Sequence, residues 1–203
     1  ERGVFATAGS PAARIVIGET AQPVAEYAAE ELALHVELAT GVRLPILREP
    51  VPSADGAHSV YLGETRAALE AGLDVESLPS EAFTLRTLEG DVFIAAKEGP
   101  GDPLSTGNTF SGVLWGVYEV LERDLGVRWL WPGPLGTHVP EKRTVRVGPF
   151  NETIGPRFIH RHVGQPRLGD LDEPRVGGVL LGKHLHIDRD RGFSDGNHLG
   201  VKT

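Results

Sequence analysis

Residues Gly112–Pro132, GVLWGVYEVLERDLGVRWLWP, decide how the rest of the chain is read. Val113, Val117, Leu121 and Leu125 recur at helical spacing, and Leu114 and Tyr118 widen the stripe. Gly126 then stops the helix, because glycine readily takes the left-handed conformation of a helix end. The aromatic run Val127–Trp131 reads as a strand closed by Pro132-Gly133. A helix that drops directly into an aromatic strand predicts α/β architecture.

Upstream, the pattern alternates between the two periods. Arg14–Ile17 is a short β-rich run, and Thr20–Pro23 opens a helix over Pro23–Thr40 that buries Val24, Ala28, Leu32, Val36 and Ala39 and ends at Gly41. Strands are predicted at Arg43–Leu47, Ser59–Leu62, Phe83–Leu88, Asp91–Ala96 and Thr144–Val147. The two-residue connection Glu89-Gly90 makes a hairpin of the third and fourth of these. The loop Gly99–Ser111 carries Gly99, Gly101 and Gly107 before a helix, but it has neither a Walker lysine nor the dinucleotide spacing. It reads as a surface loop with Thr109 or Ser111 as helix cap.

The fold expected is an α/β two-layer sandwich of a mixed sheet and two main helices over residues 1–150. Around Gly148–Gly155 the pattern breaks and a linker is expected. Arg157–His162 is a further strand candidate, and residues 164–203 show no periodicity. Residues 151–203 therefore read as a linker and the opening of something larger.

A net charge of −8 disfavours nucleic acid or an anionic membrane as partner, since both need a basic face. No apolar run approaches the roughly 20 residues of a membrane helix. Without cysteine there is no disulfide, thiolate metal site or cysteine nucleophile. Methionine is absent as well, as expected of a chain that begins after processing or is an excised piece.

The segment AAEELALHVELATGVRLPI, Ala28–Ile46, resembles a helix-strand signature of the small N-terminal domain that precedes the barrel in β-N-acetylhexosaminidases and α-glucuronidases. Val60–Gly63 is similar to the next strand of that domain, Glu81–Ala96 to its hairpin, and Gly116–Pro132 to its second helix and strand. The matches keep their order across roughly residues 13–147. Pro156–Arg161, PRFIHR, resembles the entry to the first barrel strand, although His162 stands where the family usually has glycine. The resemblance implies a non-catalytic accessory domain, a secreted or periplasmic address, the barrel of its own polypeptide and a glycan as partners, and no cofactor. It also implies that Arg161 grips sugar hydroxyls beside the scissile bond, a task suited to a guanidinium's fixed fork of donors. The competing expectation is a stand-alone structural or adhesive module that keeps the fold without the chemistry.

No catalytic residue is expected within the chain. Glycoside hydrolysis needs two carboxyl groups about 5–10 Å apart, or a substrate acetamido group in place of one. Glu30-Glu31 is a close pair in sequence but is expected on a solvated helix surface. His184, His186 and Asp188 share one face if they lie on a strand, a set that could hold zinc or simply be exposed. Asp188-x-Asp190-x-Gly192 lacks the remaining ligands of a calcium loop. Trp115, Trp129 and Trp131 suit either a sugar platform or the core, and His35 is expected as a partly buried packing residue.

Overall fold

Three short strands come first in the structure, a computed structural model that describes residues 3–7, 9–51, 58–104, 110–130 and 134–157. They are β1 (Gly3–Thr7), β2 (Ser10–Pro11) and β3 (Ala13–Ile17). Helix α1 follows over Pro23–Thr40, the bounds its spacing predicts. Pro23 lies in the first turn, where a missing N–H costs nothing. Gly41 ends the helix at φ 73° and donates its N–H to the Glu37 carbonyl at 2.7 Å. All five predicted stripe residues are buried.

Strand β4 (Ile46–Arg48) begins later than the predicted Arg43–Leu47. Pro45 is the reason: lacking an N–H, it gives the ladder only its carbonyl, which accepts from Ile15 N at 2.8 Å. Val42 and Leu44 are buried as loop residues instead. Next come β5 (His58–Leu62), the short helix α2 (Arg66–Glu70), and the hairpin β6 (Phe83–Leu88) and β7 (Asp91–Ala96). Its turn is Glu89-Gly90 as expected, with φ of 52° and 91°, the positive values that a two-residue hairpin turn favours.

Helix α3 (Gly112–Val120) runs into a π-helical turn, Leu121–Leu125, which Gly126 ends at φ 79°. Four more strands follow: β8 (Arg128–Trp129), β9 (Thr137–His138), β10 (Thr144–Val147) and β11 (Asn151–Ile154). The main sheet has the order β11-β6-β7-β5-β3-β4, while β10-β1-β2 and β8-β9 form separate small sheets. Strands β7, β5, β3 and β4 are parallel, and β6 and β11 are antiparallel to their neighbours. The architecture is mixed α/β, with a multi-strand mixed sheet and few helices.

Both long helices lie on one face of that sheet. Ile15, Ile17, Val60, Leu62, Leu85 and Ile94 meet Leu32, Val36, Val117 and Leu121 in one buried cluster. A Cβ on Gly116 would collide with Ile94, so the glycine lets α3 lie close on the β6–β7 hairpin. The other face carries a smaller cluster in which Phe93 and Ala95 pack against Ala68 and Leu73.

Two expectations change. The strand predicted at Val127–Trp131 covers Arg128–Trp129 and, among the described residues, pairs only with β9. Its buried Trp129 ring lies 5.3 Å from His35 on α1 and 5.2 Å from Tyr118 on α3, so the strand serves the helices and not the main sheet. The expected linker is a strand over Asn151–Ile154, the edge strand beside β6. Thr153 and Thr84 share a hydroxyl bond at 2.8 Å, and Arg123 reaches Glu152 at 2.7 Å while its guanidinium lies over the Phe150 ring. Beyond Arg157, the strand candidate Arg157–His162 lies outside the described residues.

Candidate functional site

Open α/β sheets bind ligands at the carboxyl ends of parallel strands, where successive connections leave in opposite directions. That point lies between β3 and β5. Strand β3 leads through α1 to the edge strand β4, whereas β5 leads through α2 and β6 to β7 on its other side. Three glutamates follow the strand ends there: Glu49, Glu64 and Glu98.

Glu98 and Glu64 clasp one another through the backbone. Glu64 N donates to Glu98 Oε1 at 2.7 Å, and Glu98 N donates to Glu64 Oε1 at 2.7 Å. Glu98 Oε2 accepts a third bond, from Gln22 N at the start of α1, also at 2.7 Å. Gly63 makes room for this, since a Cβ there would fall on the Glu98 carboxylate. Burial raises the Glu98 carboxyl above the ordinary glutamate range and the Glu64 charge adds to this, while the Gln22 and Glu64 N–H groups and Arg48 oppose it. Glu49 accepts from Arg66 N at 2.7 Å and Ala67 N at 3.0 Å, which caps α2 beside the Thr65 hydroxyl. These carboxylates thus spend their acceptors on backbone donors.

A groove of about 700 Å³ lies between α1 and β4, with Ile17, Tyr27, Ile46, Glu26, Glu30 and Arg48 among its lining residues. Its charges are already paired. Arg48 binds Glu26, and Glu30 is held by Arg43 at 2.5 Å, with Glu37 on the other arm of that guanidinium at 2.8 Å.

Glu31 departs from its expected place. Glu30 is exposed as predicted, but Glu31 is buried at 8% exposure between the helices. Tyr118 donates its hydroxyl to Glu31 Oε2 at 3.0 Å, and His35 Nδ1 lies 2.8 Å from the Glu31 carbonyl oxygen and 4.0 Å from Oε2. Burial raises the Tyr118 phenol well above its usual value, and the Glu31 charge pushes the same way, so it remains a donor. Tyr27 is raised for the same two reasons. His35 is buried outright. The spacing carried a signal for Glu31: it stands three residues after Ala28 and beside Leu32, within the buried arc of α1. Glu98 left no such trace, because its partners are distant in sequence.

One further carboxyl is perturbed. Burial pushes Glu122, in the π-helical turn, up to about 7, against the opposing charge of Arg128. Arg128 Nη1 also donates to the Glu122 backbone carbonyl at 2.8 Å.

Trp115 and Trp129 are core residues at 1% and 2% exposure, not a sugar platform. Ser111 takes the N-cap position of α3. Arg161, Trp131, Thr109, Gly107 and the cluster His184, His186 and Asp188 lie outside the described residues. Among the described residues no three His, Cys, Asp or Glu side chains converge as a metal site would require. No helix among them is long and apolar enough to cross a membrane. No protein-family model matches the chain, and no curated protein matches it significantly.

Proposed function

We propose that this chain is the accessory domain of a carbohydrate-active hydrolase: a two-layer α/β sandwich followed by the first segment of a (β/α) barrel. The observation that carries the reading is the ordered set of segments resembling the domain that precedes such barrels. Those segments fall on α1 through the start of β4, on β5, on the β6–β7 hairpin and on α3 through β8. The domain's role is to buttress the barrel and to shape one wall of the glycan cleft. Strand β11 supports that role mechanically. It ends at Ile154, one residue before Pro156-Arg157, and is anchored by β6 and by the Arg123–Glu152 ion pair. A rigid exit of this kind fixes where the following segment starts.

On this reading the protein is secreted or periplasmic, its ligand is a glycan, and Arg161 supplies one substrate contact from the barrel entry. In the protein carrying domain and barrel together, Arg161→Ala should weaken glycan binding several-fold to a hundredfold, matching a charge-assisted bond of roughly 1.5–3 kcal/mol. Thermal stability should change little. Normal binding by an early-melting variant would make Arg161 a docking residue and remove the substrate assignment.

A further inference from the structure

The groove between α1 and β4 opens at the carboxyl ends of parallel strands, where ligands of open α/β sheets gather. Ile17, the last residue of β3, and Arg48, the last of β4, both line it. Its buried and half-buried lining is apolar: Ile17, Ile46 and Tyr27 all pack against the core. The Tyr27 hydroxyl is engaged by Glu31 and Tyr118 in the helix interface. What the ring offers the groove is therefore its carbon surface, held in place from behind.

The exposed lining is polar and comes from Glu26, Glu30 and Arg48. Glu26 meets Arg48 through Oε1, and Glu30 meets Arg43 through Oε2. A carboxylate has two oxygens and a guanidinium five donors, so ion pairs made through one oxygen each do not exhaust this rim. A pyranose ring carries the complementary pattern: an apolar C–H face edged by hydroxyls that both donate and accept.

We propose that the α1–β4 groove binds one ring of a neutral glycan, with Tyr27, Ile17 and Ile46 against its C–H face and Glu26, Glu30 and Arg48 on its hydroxyls. The volume of about 700 Å³ suits a small ligand. Two carboxylates against one guanidinium leave the lining acidic, in a chain of net charge −8, so an anionic sugar is repelled. An extended peptide would instead add to β4, which ends the main sheet among the described residues. Pro45 and Pro50 bracket that strand and leave only three residues for pairing. The choice of a sugar as ligand rests on the carbohydrate reading, whereas the groove does not. It gives the sandwich a glycan contact of its own, beyond buttressing a barrel.

Backbone amide shifts of the 203-residue chain, followed by NMR during titration with tetrasaccharides, test the groove. The neutral probes are cellotetraose, xylotetraose and N-acetylchitotetraose, and the anionic one is tetragalacturonate. At least one neutral probe should move the Ile17, Tyr27, Ile46 and Leu47 amides along a single saturation curve, while β6 and β11 at the far edge stay in place. Tetragalacturonate should not. Arg48→Ala, a surface change, should weaken the neutral probe roughly fivefold or more by removing charge-assisted donors. Groove amides flat with all three neutral probes, equal binding of tetragalacturonate, or undiminished affinity in Arg48→Ala overturns the proposal. The native shift map decides the matter by itself should the variant fail to fold. In the protein carrying domain and barrel together, Arg161-dependent glycan binding with flat groove amides would sink the groove and leave the carbohydrate reading standing. Groove shifts with binding indifferent to Arg161 would do the reverse for the Arg161 contact.

Discussion

Two glutamates of this domain, Glu31 and Glu98, are both withdrawn from water, yet their surroundings assign them opposite work. Glu31 faces α3 from α1, where it accepts from the Tyr118 hydroxyl beside His35 and Tyr27. Glu98 sits at the rim of the parallel strands and accepts from the backbone N–H groups of Gln22 and Glu64. Glu31 accepts a buried side-chain donor from the facing helix, so it acts as a structural fastener. A backbone donor near the surface can turn to water, which makes Glu98 more replaceable than Glu31. Burial of a carboxyl alone therefore does not mark a functional group; the freedom of its partners does.

The largest effects should come from the helix side. Leu121 is fully buried, and Leu121→Ala should cost about 2–5 kcal/mol by transfer and cavity terms, read from urea unfolding midpoints. An unchanged midpoint would remove Leu121 from the core. Glu31→Ala leaves the buried Tyr118 hydroxyl without this acceptor and should cost roughly 2–4 kcal/mol, whereas Glu31→Gln keeps an acceptor and should cost less than half of that. Equal losses in the two variants would show that charge, and not the hydrogen bond, holds the helices together.

An intermediate effect is expected at Glu122. Its carboxyl is raised from 4.5 to about 7, so its contribution to stability is complete below pH 4.5 and is lost as pH rises to about 7. Glu122→Gln should abolish that decline and gain roughly 1–3 kcal/mol over the native protein at about pH 8, with little difference at about pH 4. Parallel stability curves for the two proteins would refute the assignment. The smallest effect belongs to the exposed Arg43, whose pairs with Glu30 and Glu37 are solvent-screened. Arg43→Ala should leave the urea unfolding midpoint nearly unchanged, and any difference should shrink further in high salt.

Periodicity made one layer of this fold readable and left the other dark. The stripe of α1, its proline start and glycine stop, and the Glu89-Gly90 turn all act within a few residues, so the sequence displays them directly. Strand pairing is a long-range event. Thus nothing local in Gly3–Thr7 announces the strand that pairs with β10, and Asn151–Ile154 reads as a linker because its polar residues belong to a half-exposed edge. Trp129 shows the same limit: its alternation suggests a sheet strand, while its ring is claimed by His35 and Tyr118. Of the site, Glu31 was legible in the helical spacing. The clasp was not, since nothing local connects Gln22, Glu64 and Glu98.

The accessory-domain account requires that these carboxylates hold backbone and perform no hydrolysis. Turnover of chromogenic aryl glycosides by the purified chain, measured beside Glu98→Gln and Glu64→Gln, tests this most directly. The account predicts the background rate from all three proteins. Hydrolysis by the native chain that disappears in either variant would contradict it and make the clasp an acid pair at work.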